Sequence, residues 1–201
     1  MTESTFLAWI FRMPLIKRWS LMYCHKSENI AEHSHQVAVI AYLLAVIDTR
    51  KFGGSLSPDR AATIALFHEI AETRTQDLSS PVKYQNPDMA KEFKRIEREA
   101  EVACLASLPE EFQADFADIL IAEHVDPEYK QLVKAADILC AYIKTLDELK
   151  HHNYEFQHVK TNLDPLIERY RQDMPAFAYL VDTFMGYCTA TLDKLYSCEN
   201  S

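Results

Sequence analysis

His33 occupies an inward-facing position on a predicted amphipathic helix. Its spacing from Ile30, Val37 and Leu44 puts the four side chains on one apolar stripe, because residues three, four and eleven apart share a helical face. A buried neutral imidazole can bind a divalent metal ion, and it can equally serve the core by hydrogen bonding to a backbone carbonyl. His33 is therefore a candidate metal ligand with an ordinary structural alternative.

The segment 65–72, Ala-Leu-Phe-His-Glu-Ile-Ala-Glu, contains a second histidine and two acids. His68 continues a stripe that includes Ile64, and Glu72 lies one helical turn beyond it, so both are predicted to face inward. The alternatives are an ion pair between His68 and Glu72 on a partly exposed face and a solvated surface position for Glu69. This segment adds an imidazole and carboxylates to the candidate site.

Asp137 lies in the segment 134–141, Lys-Ala-Ala-Asp-Ile-Leu-Cys-Ala, which is small and apolar on its C-terminal side. A carboxylate buried there would cost on the order of several kcal/mol unless it coordinated a metal or paired with a nearby Lys or Arg. Inward histidines and an inward aspartate on separate predicted helices are the ingredients of a mixed His/carboxylate metal site in a bundle core. Such a ligand set suits Mn²⁺, Fe²⁺, Co²⁺, Ni²⁺ or Zn²⁺.

The elements that must position these residues are predicted to be helices. Each of Ser57-Pro58, Asn86-Pro87 and Asp126-Pro127 offers a side-chain cap followed by proline at the first helical position. The periodicity between these starts is helical and no alternating strand pattern interrupts it, so we predict an all-α helical bundle. The predicted helices cover about 4–13, 29–50, 57–73, 86–107, 110–124, 127–150, 154–171 and 175–197, with a structured loop over about 73–85.

The composition is that of an ordinary globular protein, and we expect one domain over residues 1–201. The formal net charge of −9 would repel a nucleic-acid backbone, so we expect no duplex nucleic-acid partner. A small phosphorylated substrate is compatible with this charge, because a bound cation inverts the local field. The five cysteines contain no CxxC pair, which favours reduced thiols. Without a recognisable secretory leader or membrane-spanning run, we expect a cytoplasmic protein with no membrane partner.

The motifs resemble those of the HD-domain phosphohydrolase superfamily and, within it, the bacterial 5′-deoxynucleotidase family. The order of His33, then His68 with an acid beside it, then Asp137 is similar to the H…HD…D pattern of the superfamily. Further segments resemble the deoxynucleotidase family in order and spacing: Lys-Arg-Trp-Ser-Leu-Met at 17–22, Glu-Asn-Ile-Ala-Glu-His-Ser at 28–34, Lys-Phe-Gly-Gly at 51–54, Asp-Leu-Ser-Ser-Pro-Val-Lys-Tyr at 77–84 and Leu-Val-Lys-Ala-Ala-Asp at 132–137. The resemblance covers nearly the whole chain, weakening toward its C-terminal end, and implies an HD-domain fold.

The resemblance implies a hydrolase that removes the 5′-phosphate from deoxyribonucleoside monophosphates with a divalent cation, for which cobalt is favoured. The metal ligands implied by resemblance are His33, His68, Glu69 and Asp137. The implied catalytic residues are Glu72 and Arg18, and Arg18 would orient the phosphate. The implied substrate contacts are Arg18, Trp19, His33, Glu69, Asp77, Leu78, Ser79, Ser80 and Asp137, with Trp19 beside the sugar. A homodimer is implied as well.

Glu69 departs from the family pattern, in which the second residue of the pair is aspartate. Glutamate can bind the same ions, but its additional methylene group requires a shift of the helix or of the metal, or else the affinity falls. Two alternatives therefore stay open. One is hydrolysis of a deoxynucleoside triphosphate or another phosphoester, and the other is a non-catalytic nucleotide-binding protein with a weakened metal site.

Overall fold

The structure is a computed structural model that describes residues 3–199, except for the side chains of residues 80, 81 and 199. Its regular secondary structure is helical, apart from an antiparallel bridge between Lys17 and Asn29, and the all-α prediction is confirmed. The α-helices are α1 (Phe6–Ile10), α2 (Ile30–Ile47), α3 (Pro58–Phe67), α4 (Glu72–Thr75), α5 (Ser80–Lys83), α6 (Pro87–Leu105), α7 (Glu110–Leu120), α8 (Pro127–Lys150), α9 (Gln157–Asp173), α10 (Pro175–Phe184) and α11 (Leu192–Glu199). Shorter 3₁₀ segments cover Met13–Leu15, Tyr154–Phe156 and Met185–Tyr187, and a π-helical segment covers Asp48–Phe52.

Side-chain caps set the starts of the helices that carry the site. Ser57, Asn86 and Asp126 each accept a hydrogen bond from a backbone N–H two or three residues further along, and proline follows each of them. Asn29 caps α2 in the same way, accepting two backbone N–H groups at 3.0 Å. A cap of this kind stabilises a helix by about 1 kcal/mol. The cap at Asn29 fixes where α2 begins, and His33 follows four residues later.

The larger hydrophobic core is built around α2. This helix packs against α3, α8 and α10, and α9 packs on α8 and α10. Val37 and Leu44 of α2 are fully buried, and they share the core with Leu139 and Phe177, which are also fully buried. Burial of each such side chain contributes about 1.5–3 kcal/mol. The buried stripe is the one predicted around His33, which is itself fully buried.

The segment Ile30–Phe52 is long and apolar enough to cross a membrane by length and composition alone. However, 50% of its most apolar window is buried inside the protein. The first part of the segment is α2, which packs on α3 and α8. The apolar character of α2 is thus accounted for by its central place in the core.

A smaller apolar cluster joins α1, α6 and α7 to the turn that follows α3. Phe6, Ile70, Cys104 and Leu120 are buried in this cluster. The ring of Phe6 lies 5.6 Å from the ring of Phe116 in an edge-on arrangement, which is favourable for two aromatic side chains. Because Ile64 and Ala65 of α3 belong to the larger core, the chain passes from that core to the smaller one in the turn that contains Ile70.

The predicted helix over about 57–73 is wrong in its C-terminal part, since α3 ends at Phe67 and a turn separates it from α4. The Nδ1–H of His68 donates to the carbonyl of Ala65 at 2.6 Å, and this oxygen is the one that the next α-helical hydrogen bond would use. Backbone hydrogen bonds in the following turn join residues three apart instead of four. The chain therefore winds more tightly where it carries the His-Glu pair.

The predicted helix over about 175–197 is also wrong as one element, because α10 ends at Phe184 and α11 begins only at Leu192. Gly186 lies at this break, and glycine has a low helix propensity. The loop predicted over about 73–85 contains the short helix α5. Apart from these differences, the predicted starts of α3, α6, α7 and α8 lie within about two residues of those observed.

Candidate active site

The predicted metal ligands come together where different parts of the bundle meet. His33 lies near the start of α2, and Asp137 lies within α8. His68 and Glu69 lie in the turn after α3. One nitrogen or carboxylate oxygen from each of the four residues lies within 4.8 Å of the others. We call this group the His/carboxylate cluster.

The ligand atoms of the His/carboxylate cluster face one another. His33 Nε2 lies 3.0 Å from Asp137 Oδ1, in a hydrogen bond in which the imidazole donates because an ionised carboxylate only accepts. Glu69 Oε1 lies 3.5 Å from His68 Nε2 and 3.8 Å from His33 Nε2. The longer glutamate side chain therefore reaches the cluster.

His68 provides the observation that tests whether these residues fit a metal ion. Its Nδ1–H donates to the Ala65 carbonyl, so Nε2 carries the free lone pair. Nε2 is buried and has no hydrogen-bond partner among the residues that the structure describes. Leaving a buried acceptor unsatisfied costs about 1–3 kcal/mol, and a cation held by the cluster would satisfy it. The residues present thus fit a divalent metal ion.

The charges of the cluster also favour a cation. Burial acts to raise the pKa of Asp137, but the hydrogen bond from His33 and the charge of Lys134 hold that pKa well below its ordinary value. Burial likewise acts to raise the pKa of Glu69, and neighbouring basic side chains outweigh it, so this pKa is lowered. Burial lowers the pKa of His33. Ionised carboxylates and neutral imidazole are the forms that bind metal ions.

Arg18 lies at the edge of the cluster, in the loop before α2. Its Nη1 lies 3.2 Å from Glu69 Oε1, and its Nε lies 3.4 Å from Glu28 Oε2. The guanidinium carbon lies 5.7 Å from the centre of the Trp19 ring. Because a guanidinium has five N–H donors, these contacts leave donors for an anionic ligand.

Trp19 has a left-handed backbone conformation, with a φ of 58°, that bulky residues rarely adopt. The indole Nε1–H donates to Glu28 Oε2 at 2.7 Å, and the ring lies 5.3 Å from that of Phe156. The backbone N–H of Trp19 faces the Asp77 carboxylate. Such a conformation costs roughly 1–3 kcal/mol and persists only where the surroundings hold it. The residue predicted to lie beside the sugar is thus held in one position.

Glu72 is buried at the start of α4, a few residues from the His-Glu pair. Burial, followed by the charges of Glu69 and Asp77, raises the pKa of Glu72 to about 9. Its Oε1 lies 3.7 Å from Lys83 Nζ, which also lies 3.2 Å from Glu97 Oε1. Oε2 of Glu72 has no hydrogen-bond partner among the described residues. This carboxyl group therefore has a polar atom available for proton transfer.

The segment predicted to contact deoxyribose begins at Asp77, between α4 and α5. Asp77, Leu78 and Ser79 are half-buried. Burial, which the charge of Arg18 offsets only in part, raises the pKa of Asp77. The side chain of Ser80, also predicted to contact substrate, lies outside the described part of the structure. Asp77 is thus the member of this segment that adjoins the Trp19 backbone.

Glu28 and Lys83 adjoin the predicted site, although the sequence pattern does not single them out as functional. Glu28 contacts both Arg18 and Trp19. Lys83 pairs with Glu72. Both residues lie inside segments that carry the family resemblance, and this is the signal that could have pointed to them.

A helical bundle with two histidines and two carboxylates between its helices defines the class of HD-domain phosphohydrolases. An HD-domain phosphohydrolase from Listeria innocua superposes with a TM-score of 0.80 at 18% identity, over 98% of this chain and 97% of that one. The HD phosphohydrolase of cyanophage S-2L, bound to dA and one catalytic Zn²⁺ ion, superposes with a TM-score of 0.61 at 21% identity, over 92% of this chain and 97% of that one. At these identities the likeness shows the fold.

The sequence places the chain more narrowly within this class. The family model described as 5′-deoxynucleotidase YfbR-like matches residues 5–188, and the chain belongs to this family of hydrolases. A 5′-deoxynucleotidase of Vibrio cholerae is 47% identical over 196 residues, which are 97% of this chain and 100% of that protein. The 5′-deoxynucleotidase of Shewanella oneidensis is 42% identical over 192 residues, which are 96% of this chain and 97% of that protein.

Proposed function

We propose that this protein hydrolyses deoxyribonucleoside 5′-monophosphates to the deoxyribonucleoside and phosphate. The observation that carries the proposal is the His/carboxylate cluster beside Arg18, in a member of a 5′-deoxynucleotidase family. His33, His68, Glu69 and Asp137 would hold a divalent cation. When bound, that cation supplies Lewis-acid chemistry for hydrolysis of the phosphate ester.

Arg18 has the role of binding and orienting the phosphate group. Its planar guanidinium can donate two parallel hydrogen bonds to non-bridging phosphate oxygens, which an ammonium group cannot reproduce. The contacts of Arg18 with Glu69 and Glu28 hold the side chain beside the cluster. A phosphate bound there lies next to the metal ligands, as phosphoryl transfer requires.

Glu72 has the role of moving a proton to or from the reacting oxygen atoms. The support for this role is its buried carboxyl group, whose Oε2 has no partner among the described residues and which lies three residues after Glu69, one turn along the chain. A positioned carboxyl group contributes roughly 10²–10⁴-fold to a rate as a general acid or base. Lys83, which also pairs with Glu97, contacts the other oxygen of Glu72, Oε1.

Trp19 and Asp77 have the role of recognising the 2′-deoxyribose. A rigid indole beside the sugar leaves neither space nor a hydrogen-bond partner for a 2′-hydroxyl group, which excludes ribonucleotides. Leu78, Ser79 and Ser80 complete the substrate contacts with Asp77, and His33, Glu69 and Asp137 contribute from the metal side. The support for this assignment is the fixed position of Trp19 against Glu28, Phe156 and Asp77.

The test is phosphate release by the purified protein with Co²⁺ or Mn²⁺, measured on deoxyribonucleoside and ribonucleoside monophosphates. Free phosphate and the deoxynucleoside are the expected products. Release of pyrophosphate or triphosphate from a deoxynucleoside triphosphate, with no phosphate from any monophosphate, would instead identify a triphosphate hydrolase. Binding of deoxynucleotides without turnover would indicate a non-catalytic protein.

We further propose Co²⁺ as the favoured activator, a cytoplasmic location, one domain and a homodimer. The first two follow from the family resemblance and the composition. The single domain is supported by α3, whose Ile64 lies in the larger apolar cluster while its Phe67 packs against the smaller one. The dimer is supported by an apolar groove of about 320 Å³ between α2 and α3, where Val39, Tyr42 and Leu66 are exposed. Light scattering of the wild-type protein and of Tyr42→Glu tests the dimer.

A further inference from the structure

We propose that Glu28 is a positioning residue that couples the metal centre to the substrate-binding pair Arg18 and Trp19. The inference rests on the proposed function, because it takes the cluster as a metal site and the pair as a substrate site. Glu28 is 7% exposed and lies just before the cap of α2. It reaches both sites with one carboxylate group.

The two oxygen atoms of Glu28 point to different partners. Oε1 lies 3.8 Å from Nδ1 of His33, on the side of the imidazole away from the cluster. Oε2 accepts the indole N–H of Trp19 at 2.7 Å and lies 3.4 Å from Nε of Arg18. A single side chain therefore touches a metal ligand, the phosphate-orienting residue and the sugar neighbour.

The contact with His33 matters because of where the imidazole proton must be. Nε2 of His33 donates a hydrogen bond to Asp137 at 3.0 Å. To bind a cation, Nε2 must instead offer its lone pair, which requires the ring proton to be on Nδ1. Nδ1 is buried and has no hydrogen-bond partner among the described residues. Glu28 Oε1 is the acceptor that faces it, and a small movement of either side chain completes the hydrogen bond. Such carboxylate partners fix the tautomer and orientation of a metal-binding histidine.

The contacts with Arg18 and Trp19 matter because both residues sit on a short loop. Glu28 Oε2 is one of the groups that hold the left-handed backbone of Trp19 in place, together with the ring of Phe156. It also neutralises the guanidinium of Arg18 on the side away from Glu69. Loss of the carboxylate would loosen the sugar neighbour and the phosphate ligand together.

Backbone hydrogen bonds hold this loop independently of the Glu28 side chain, so a protein substituted at position 28 is expected to fold. The N–H of Arg18 donates to the carbonyl of Glu28 at 3.0 Å, and the N–H of Ile30 donates to the carbonyl of Ile16 at 3.0 Å. Lys17 and Asn29 form the bridge between these bonds. Mutation of Glu28 therefore tests the contribution of its side chain to the position of the loop, while the backbone contacts remain.

The experiment compares Glu28→Gln with the wild-type protein in two measurements. Calorimetric titration of the metal-free protein with Co²⁺ is expected to give a Kd raised roughly 10–100-fold in the variant. The kcat/KM for 2′-deoxyadenosine 5′-monophosphate, divided by the kcat/KM for adenosine 5′-monophosphate, is expected to fall in the same variant. Glu28→Asp, which keeps the charge on a shorter side chain, is expected to restore part of the Co²⁺ affinity.

Two further variants separate coupling from a general loss of structure. Glu148→Gln removes another buried carboxylate, which accepts the backbone N–H groups of residues 25 and 26 in the same loop. It is expected to lower the Tm and leave the Co²⁺ Kd unchanged. Trp19→Phe removes the indole donor and part of the ring system, and it is expected to lower the deoxyribose preference without changing the Co²⁺ Kd.

A Co²⁺ Kd for Glu28→Gln within twofold of the wild-type value would overturn the proposal, as would an equal loss of Co²⁺ affinity in Glu148→Gln. An unchanged deoxyribose preference would overturn the substrate half of the coupling. If the wild-type protein binds Co²⁺ but releases no phosphate from any deoxynucleotide, the proposed function fails. Weaker Co²⁺ binding by Glu28→Gln would then still support the role of Glu28 in positioning His33.

Discussion

Glu69 places a longer carboxylate side chain where the HD motif has aspartate, and its contacts indicate how the extra length is used. Oε1 lies near both histidines of the cluster and also pairs with Arg18. One oxygen therefore contacts both histidines of the cluster and Arg18, the proposed phosphate ligand. The turn that carries Glu69 winds more tightly than an α-helix, which changes where the side chain starts.

Removal of the charge at Glu69 is expected to weaken the metal site. Glu69→Gln should raise the Co²⁺ Kd at least tenfold, because an amide oxygen binds a divalent cation less strongly than a carboxylate. A tenfold rise corresponds to a loss of about 1.4 kcal/mol of binding free energy. Glu69→Asp is the matched variant that keeps the charge, and it should retain more Co²⁺ affinity than Glu69→Gln. Turnover by Glu69→Asp more than tenfold above wild type would show instead that Glu69 impairs the site.

Arg18 is expected to be more sensitive to substitution than its charge alone would suggest. Arg18→Lys should lose on the order of 10²-fold in kcat/KM on deoxynucleoside monophosphates, since an ammonium group lacks the planar pair of donors. The Co²⁺ Kd should change little by comparison, because Arg18 is not among the proposed metal ligands. Full activity of the lysine variant would contradict the assigned role.

At the level of the elements, α8 does two things: its middle supplies Asp137, and its end anchors the loop that carries Arg18 and Trp19. Glu148, fully buried near the end of α8, accepts the backbone N–H groups of His25 and Lys26. It also accepts from Lys144 and Asn153. The spacing of Asp137 and Glu148 along one helix thus links the His/carboxylate cluster to the position of the loop that carries Arg18 and Trp19.

The stability from Glu148 is expected to depend on pH. Burial acts to raise its pKa, but the donated hydrogen bonds hold the pKa at about 2, below the ordinary 4.5. The folded state therefore gains stability that is complete above about pH 5 and is lost as the pH falls toward 2. Glu148→Gln should lower the free energy of unfolding at pH 7 by roughly 1.5–3 kcal/mol, the usual contribution of hydrogen bonds to a charged group.

Urea unfolding of Glu148→Gln and the wild-type protein at several pH values measures this difference. The difference in the free energy of unfolding between the two proteins should decrease as the pH falls from 5 toward 2, since the wild-type carboxylate becomes protonated over this range. Glu32→Gln, at an exposed position on α2, is a control and should not show the same narrowing. A gap that stays constant over this range would refute the assignment.

Helix starts were easier to predict than helix ends, and the physical reason is local. Caps such as Asn86 and Asp126 act on N–H groups two or three residues away, so the sequence alone indicates them. The end of α3 depends on whether the His68 imidazole donates its hydrogen bond to the Ala65 carbonyl. That choice is coupled to the packing of Ile70 in the smaller apolar cluster, which no local pattern reveals.

For the whole molecule, the proposed metal ligands His33 and Asp137 lie 104 residues apart in the chain, so a bound ion should stabilise the fold. At a Co²⁺ concentration of 100 times Kd the expected gain is about 2.7 kcal/mol, which corresponds to a rise in Tm of a few degrees. Differential scanning fluorimetry with a chelator and then with excess Co²⁺ measures it. His68→Ala, which removes one ligand, should show little of this rise.

The sequence by itself determined the all-α class, the family and the identity of the cluster residues His33, His68, Glu69 and Asp137. These follow from periodicity, caps and motifs, which are properties of neighbouring residues. Only the tertiary structure decided which oxygen of Glu69 meets which nitrogen, and that Glu28 reaches both the cluster and Trp19. Such contacts depend on side-chain directions from separate elements, and these are set by packing in the core and not by spacing along the chain.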